Sequence, residues 1–303
     1  MYDVVIIGSG PAGLSASIYA KRAGLNAVTF EKSYISGGQV LNTYEVDNYL
    51  GLKGISGMDM ANKFREHADA LGCEFVSEEI TKITKINDSF LLTGKQNGYA
   101  TKAVIVATGA HNSRLNVPGE EELSGMGVSY CATCDGAFFK GKTVAVVGGG
   151  DVAVEDAIYL SRTCKEVYLI HRRDKLRAAK SLQDELLSKD NVKVIWNSVV
   201  ERIEGEDQVE GILLKDITNN ENKDLKVDGV FIAIGMEPVN GLVKDLVSLD
   251  EKGFVMSGDQ CITNHKGIFV AGDLRTKKVR QIVTAVADGA NVIASVEAYL
   301  RKS

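Results

Sequence analysis

The chain has 303 residues and a formal net charge of −5, with 45% hydrophobic and 25% charged residues. At about 150 residues per domain, this length predicts two globular domains, and the composition excludes a disordered or collagen-like chain. The acidic balance argues against nucleic acid as a partner, and no apolar run reaches the roughly 18 residues that a membrane span needs. The N-terminus is typical of a first strand and lacks a basic signal region, so we expect a cytoplasmic location.

The same succession of elements occurs twice along the chain: a strand, a glycine turn, a helix, a second strand, another helix, short alternating strands and a closing apolar strand. In the first half these elements are predicted at 3–7, 8–13, 14–23, 27–30, 58–71, 79–101 and up to 109. In the second half they are predicted at 143–147, 148–153, 154–160, 166–170, 176–188, 198–226 and up to 235. This repeat predicts two units of the same fold.

The order of elements predicts an α/β fold of two Rossmann-like dinucleotide-binding domains, each with a three-stranded β-meander inserted before its last strand. The tail adds a strand at 268–271 and an amphipathic helix at about 279–300. Since the second half is complete by about residue 245, we expect the tail to complete the first domain. The first domain is then discontinuous, with residues 1–112 and 246–303, and the second covers 113–245.

Both glycine turns have the sequence and the context of a pyrophosphate-binding turn. Gly8 to Gly13 is GxGxxG and Gly148 to Ala153 is GxGxxA, each between a strand and a helix. Glu31 stands 23 positions after Gly8, where an acidic residue accepts hydrogen bonds from a ribose, as for FAD or NAD. His171 stands 23 positions after Gly148, and the arginines that follow it favour the 2′-phosphate of NADP; they are Arg172, Arg173 and Arg177.

The only close pair of cysteines is Cys131 and Cys134, in CxxC spacing just before the second strand-turn-helix unit. Such a pair in a reducing compartment indicates redox exchange or metal binding. Zinc is the weaker alternative, because the chain has no second CxxC and only four histidines, none paired at short spacing. We expect Cys73, Cys164 and Cys261 to be ordinary thiols.

At these residues the sequence resembles the low-molecular-weight thioredoxin reductases of bacteria. The run from Cys131-Ala-Thr-Cys-Asp135 to Gly148-Gly-Gly-Asp151 is similar to the active-site signature of that family. The resemblance extends over nearly the whole chain and includes Gly37-Gly-Gln39, Glu45-Val-Asp-Asn48 and the segment from His171 to Arg177. Near the C-terminus it includes Ala271-Gly-Asp273 and Arg280-Gln281.

The resemblance implies FAD in the discontinuous first domain, with the glycine turn at the pyrophosphate and Glu31 near the adenosine ribose. The residues expected to bind FAD are Gly8, Gly10, Pro11, Ala12, Gly13, Glu31, Lys32, Gly38, Gln39, Asn48, Thr108, Gly109, Asp273, Arg280, Gln281 and Ile282. The second domain is expected to bind NADPH. The residues expected there are Gly148, Gly150, Asp151, Val152, Ala153, His171, Arg172, Arg173, Arg177, Ile234 and Gly235.

The activity that the resemblance implies is reduction of the disulfide of thioredoxin by a homodimeric enzyme. Electrons would pass from NADPH through FAD to a Cys131–Cys134 disulfide and then to thioredoxin. In this family the second cysteine faces the flavin and the first exchanges with thioredoxin, so Cys134 and Cys131 take those roles. Asp135 is the expected acid and base.

Three alternatives remain. One is a flavin thioredoxin reductase that takes electrons from ferredoxin, in which the second nucleotide motif is degraded; here that motif is intact, although Val152 stands where Ser or Thr is common. Another is a related reductase that serves a different dithiol carrier. The third belongs to another class, a non-catalytic redox sensor or metal-binding module that uses Cys131 and Cys134.

Overall fold

A computed structural model describes residues 1–43, 45–46 and 48–302 of the chain. The chain divides into two compact units, one formed by Met1–His111 with Glu237–Ser303 and the other by Asn112–Met236. The first unit is therefore discontinuous. The chain returns to it at Glu237, earlier than residue 246, because Val243 and Val247 are buried in the core of the first unit.

The strands and helices of both units are numbered in chain order. The strands are β1 (Tyr2–Ile7), β2 (Ala27–Glu31), β3 (Glu74–Ser77), β4 (Ile80–Ile86), β5 (Ser89–Gly94), β6 (Gly98–Val106), β7 (Ala110–Asn112), β8 (Val128–Ser129), β9 (Thr143–Val147), β10 (Glu166–Ile170), β11 (Val192–Ile195), β12 (Ser198–Glu204), β13 (Gly211–Asp216), β14 (Asn222–Leu225), β15 (Gly229–Ile232), β16 (Met236–Pro238) and β17 (Ile268–Val270). The helices are α1 (Pro11–Arg22), α2 (Gly57–Ala70), α3 (Ala132–Asp135), α4 (Asp151–Ser161), α5 (Lys180–Leu187) and α6 (Ile282–Leu300). Strands β7 and β16 pair with each other.

The first unit is built on one sheet with the strand order β3-β2-β1-β6-β5-β4, and β17 also pairs with β6. Strand β1 is parallel to both of its neighbours, whereas β4, β5 and the start of β6 form an antiparallel meander. The sequence predicts that the third strand of the meander and the closing strand of the domain are separate. In the structure a single strand, β6, forms both: its first residues pair with β5 and its later residues pair with β1. The reason is local: residues 101–106 contain no glycine or proline that could end the strand.

Alternate residues of β1 face two different cores, as the two-residue period of a strand requires. Val4 and Ile6 pack with α1 and α6, whereas Val5 and Ile7 pack with the meander and with Val243 on the opposite face. Because β2, β1, β6 and β17 run parallel, their carboxyl ends lie at one edge of the sheet, where α1 begins. Nucleotides bind at that edge in open α/β sheets.

The second unit repeats this plan with a sheet of the order β11-β10-β9-β15-β8, whose strand pairs are parallel. The meander of this unit, β12-β13-β14, is a separate antiparallel sheet. The predicted fold class is therefore confirmed. One boundary differs: the sequence predicts a helix from 176, but α5 begins at Lys180. The backbone N–H groups of Arg177 and Ala179 instead bind the glycine turn and Asp151.

Candidate active site

The first glycine turn has no room for other side chains. A Cβ on Gly13 would lie 1.8 Å from the carbonyl oxygen of Gly8, and one on Gly8 would lie 2.5 Å from that of Ala107. Gly10 is the N-cap of α1 without a side-chain hydrogen bond, and Pro11 opens the helix. The N-terminal N–H groups of α1 therefore remain available to an anion, as a pyrophosphate site requires.

A second glycine segment lies against this turn. The N–H of Gly37 donates to the carbonyl of Ser9 at 2.9 Å, and a Cβ on Gly38 would lie 3.3 Å from the Cα of Gly10. Gln39 follows, and its side-chain amide donates to the carbonyl of Ala110. The predicted residues of both segments thus form one backbone-lined cradle.

Glu31 closes one side of this cradle at the end of β2. Its carboxylate accepts hydrogen bonds from the N–H and the hydroxyl of Ser9, both at 2.8 Å, and from the N–H of Ser33 at 3.0 Å. Lys32 is exposed beside it. The predicted ribose acceptor therefore lies at the turn, and Ser9 is a neighbour that the glycine motif did not identify.

Asp273 provides the test of whether a flavin cofactor fits the first unit. A Cβ on Gly272 would lie 2.9 Å from that of Ala12, so the turn before Asp273 lies on the start of α1. Oδ1 of Asp273 is buried and has no hydrogen-bond partner within the described part of the chain. Burial also raises the pKa of Asp273. Such a buried acceptor fits a ligand that brings a hydroxyl donor, as the ribityl chain of FAD does.

The remaining predicted residues of the first unit lie at the start of α6 and at the end of β6. Asn48 donates to the side chain of Gln281 at 2.9 Å, and Gln281 caps α6 ahead of Ile282. Thr108 donates to the carbonyl of Val239 at 2.7 Å, and a Cβ on Gly109 would meet no atom within 4 Å. Arg280 is half-buried and donates to three backbone carbonyls at 3.3–3.4 Å, including that of Asp273. Asp47 of the predicted Glu45-Val-Asp-Asn48 motif lies outside the described residues.

The second glycine turn is shaped by backbone and by His171. A Cβ on Gly148 would lie 2.4 Å from the carbonyl oxygen of Ala233 and 2.6 Å from the Cβ of Ala153, whereas Gly150 is open. A Cβ on Gly149 would lie 2.2 Å from the imidazole of His171. Burial lowers the pKa of His171, and the neighbouring arginines lower it further. The ring therefore packs against the turn in a place where burial and the arginines disfavour its charged form.

The predicted phosphate-binding arginines follow His171 on the surface. Arg172, Arg173 and Arg177 are exposed, and within the described residues none of them forms an ion pair. The backbone N–H of Arg177 donates to the carbonyl of Gly149 at 2.7 Å, which ties this segment to the glycine turn. Three guanidinium groups without an acidic partner fit the 2′-phosphate of NADPH.

Four other predicted residues complete this edge of the second unit. Asp151 opens α4 and accepts the N–H of Ala179, while Val152 and Ile234 are exposed. Gly235 accepts a hydrogen bond from the N–H of Ser113 at 3.0 Å. They lie at the carboxyl ends of the parallel strands, as the motif predicts.

Cys131 and Cys134 form a disulfide with a Cα–Cα distance of 5.3 Å. Cys131 is the N-cap of α3, and both cysteines are partly exposed. Asp135 ends α3, and its carboxylate accepts a hydrogen bond of 2.5 Å from the hydroxyl of Ser129. Burial raises the pKa of Asp135, and the bond from Ser129 opposes that rise. The site therefore combines an accessible disulfide with a carboxyl that can hold a proton.

Comparison with known proteins identifies the family. A family model described as pyridine nucleotide-disulphide oxidoreductase matches residues 2–289. The chain is 44% identical over 303 residues to a thioredoxin reductase of Bacillus subtilis, covering 100% of this chain and 96% of that protein. The chain belongs to the pyridine nucleotide-disulphide oxidoreductase family.

Two further relatives are similar to this chain over nearly the whole length of both proteins. A thioredoxin reductase of Treponema pallidum is 43% identical over 300 residues, with 99% of this chain and 97% of that protein covered. The crystal structure of a thioredoxin reductase from Streptococcus pyogenes superimposes with a TM-score of 0.94 at 45% identity, covering 100% of this chain and 99% of that one. Membership of the family confirms the predicted oxidoreductase class and its cofactors, FAD and NADPH.

No described helix is both long and apolar enough to cross a membrane. In the same residues, no group of three or more His, Cys, Asp or Glu side chains is arranged to hold a metal ion. Cys73, Cys164 and Cys261 are free thiols, as the sequence predicts.

The sequence did not identify a buried ion network behind Asp273. Asp288 is 2% exposed and its carboxylate binds Arg275 at 2.7 and 2.8 Å, Lys277 at 2.8 Å and the N–H of Gly272 at 2.9 Å. Burial acts to raise the pKa of Asp288, but the bonds from Arg275 and Lys277 hold it below its ordinary value. This network therefore fixes the turn that carries Asp273.

Proposed function

We propose that this member of the family is an NADPH-dependent thioredoxin-disulfide reductase. The observation that carries the proposal is the partly exposed Cys131–Cys134 disulfide, followed directly by the half-buried carboxyl of Asp135, whose pKa is raised by burial. The relatives named thioredoxin reductase match the chain over nearly its whole length, which supports thioredoxin as the oxidised substrate. The homodimer that the resemblance implies and the cytoplasmic location expected from the N-terminal sequence stay predictions.

The first unit is proposed to hold FAD. The glycine cradle would take the pyrophosphate and Glu31 the adenosine ribose. Oδ1 of Asp273, which lies 3.9 Å from Nζ of Lys277 and has no hydrogen-bond partner among the described residues, would accept from a hydroxyl of the ribityl chain. Arg280 and Gln281 would contribute from the start of α6. When bound, FAD supplies a carrier that accepts a hydride and returns two electrons to a disulfide.

The second unit is proposed to hold NADPH at its own glycine turn, with Arg172, Arg173 and Arg177 on the 2′-phosphate. The lack of an ion pair for these arginines among the described residues supports this choice of donor over ferredoxin. The direct comparison is the initial rate of flavin reduction by NADPH and by reduced ferredoxin in the purified protein. Faster reduction by ferredoxin would contradict the choice.

Reduction of the Cys131–Cys134 disulfide consumes two electrons and leaves two sulfur atoms that need protons. The proposed role of Asp135 is to give one of these protons to a cysteine sulfur and to regain it from solvent, which also supplies the second proton. Cys131 then attacks the disulfide of thioredoxin and forms a mixed disulfide, which Cys134 resolves. The products are reduced thioredoxin and the re-formed Cys131–Cys134 disulfide, so electrons and bonds balance.

The test is the variant Cys134→Ser, with Cys73→Ser as the matched control because Cys73 is a partly exposed free thiol. Cys134→Ser is expected to lose NADPH-dependent thioredoxin reduction while it still contains flavin that NADPH reduces. Cys73→Ser should keep the full rate. Thioredoxin reduction by Cys134→Ser at more than a small fraction of the wild-type rate would overturn the role of the cysteine pair.

A further inference from the structure

Ser129 lies between the backbone of the first cysteine and the carboxyl that follows the second. It ends β8 and is 5% exposed, so its hydroxyl depends on protein groups for its hydrogen bonds. The hydroxyl oxygen accepts the N–H of Cys131 at 3.1 Å and donates to Oδ2 of Asp135 at 2.5 Å. One small side chain thus links the two ends of the redox segment.

The distances decide where the single hydroxyl proton lies. The carbonyl oxygen of Cys131 is a second acceptor for Ser129, but it is 3.4 Å away, against 2.5 Å for the carboxylate of Asp135. A separation of 2.5 Å belongs to the range of charge-assisted O–H···O⁻ bonds. The proton therefore points to Asp135 while the carboxyl is charged.

We propose that Ser129 is a positioning residue that holds the carboxyl of Asp135 in place and sets the pH at which it releases its proton. The inference rests on the proposed function, because it assigns Ser129 a purpose in the proton step at the cysteines. The backbone also supports the assignment: the N–H groups of Cys134 and Asp135 both donate to the carbonyl of Cys131, at 3.2 and 3.1 Å. These backbone hydrogen bonds do not involve the hydroxyl, so its removal leaves them in place and acts on the two groups that it contacts, the carboxyl of Asp135 and the N–H of Cys131.

The test compares Ser129→Ala, Ser129→Thr and the matched control Ser161→Ala. Ser161 lies in α4 of the same unit, and its hydroxyl donates to the carbonyl of Ile158 at 2.8 Å, with no hydrogen bond to Cys131, Cys134 or Asp135 among the described residues. The readout is the infrared C=O band of the Asp135 carboxyl, assigned by its loss in Asp135→Asn, followed against pH in the holoenzyme. A hydrogen bond to the charged form lowers a carboxyl pKa, so its removal in Ser129→Ala should move the midpoint up by about one pH unit.

Ser129→Thr retains a hydroxyl and should restore the wild-type midpoint, and Ser161→Ala should leave it unchanged. An unchanged midpoint in Ser129→Ala would overturn the proposal, even if that variant melts at a lower temperature, because a purely structural role would change only stability. The band does not require thioredoxin. A shifted midpoint in a protein that fails to reduce thioredoxin would therefore refute the proposed function and still support the role of Ser129.

Discussion

Glu120 should be the most costly single carboxylate to neutralise in the second unit. It is 2% exposed, and its two oxygens accept the N–H groups of Leu115 at 3.0 Å and Asn116 at 2.6 Å. One of them also accepts a hydrogen bond of 2.8 Å from the hydroxyl of Tyr130, the residue just before Cys131. Glu120 thus ties the segment that enters the unit to the redox turn. The perturbation is Glu120→Gln, which keeps the shape of the side chain and removes its charge.

The magnitude follows from these hydrogen bonds. An amide has one acceptor oxygen, so its NH₂ group must face at least one of the donors that the carboxylate now accepts. The hydroxyl of Tyr130 can rotate and accept, but a backbone N–H cannot, and an unpartnered buried donor costs about 1–3 kcal/mol. The remaining bonds lose their charge assistance, which roughly halves their strength. Together these effects predict that Glu120→Gln lowers the free energy of unfolding of the second unit by about 3 kcal/mol.

The assay uses the single tryptophan of the chain as a local reporter. Trp196 lies in the second unit, so its fluorescence follows that unit, whereas release of flavin fluorescence follows the unit proposed to hold FAD. At about 4 °C per kcal/mol, the tryptophan transition of Glu120→Gln should fall by about 12 °C.

The matched control for this prediction is Glu121→Gln. Glu121 is 81% exposed in its pair with Arg114, so this variant should lose at most about 2 °C. Equal shifts in the two variants would refute the reasoning from the buried carboxylate.

Two other perturbations address the nucleotide site and the buried ion network. The double variant Arg172→Ala, Arg173→Ala should raise the KM for NADPH by about 10–100-fold and leave the KM for NADH unchanged, because only NADPH carries the 2′-phosphate. Arg202→Ala is the control variant. An equal rise of KM for both coenzymes would contradict the assignment of these arginines. The carboxylate of Asp288 has a lowered pKa, so the stability it contributes is present above about pH 3.9 and is lost as the pH falls through its folded value. Asp288→Asn should therefore lower the melting temperature at pH 7 more than the exposed control Asp259→Asn does. The difference in melting temperature between Asp288→Asn and the wild type should become smaller below about pH 4. A difference in melting temperature that does not change with pH would contradict this linkage.

The fold could be predicted wherever an apolar run meets a glycine turn. Strands β9 and β10 begin and end at the predicted residues, since a buried parallel strand is a continuous apolar run with clear ends. The start of α5 could not be predicted, because its helical periodicity extends upstream into a segment held by contacts with Gly149 and Asp151. Those contacts join residues far apart in sequence, and periodicity carries no sign of them.

The candidate site divides in the same way. Cys131, Cys134 and the glycine turns have spacings that indicate their chemistry, so they could be found from the sequence. Ser129 and Glu120 have no such pattern: each is one polar residue among many, and only the fold shows that it is buried with hydrogen bonds to the redox segment. A residue whose role depends on what surrounds it leaves no local signal in the chain.

Each of the three consecutive glycines of the second turn has its own structural reason, and the sequence motif accounts for only two of the three. As a motif, Gly148 and Gly150 are the required positions and Gly149 is free to vary. In the structure a side chain at Gly148 would strike the backbone of Ala233, and one at Gly149 would strike the ring of His171. A side chain at Gly150 would meet no protein atom within 4 Å, so that position is open to the approach of a ligand. The motif therefore identified the turn, whereas His171, which stands beside the arginines predicted to bind the 2′-phosphate, accounts for the glycine that the motif leaves unexplained.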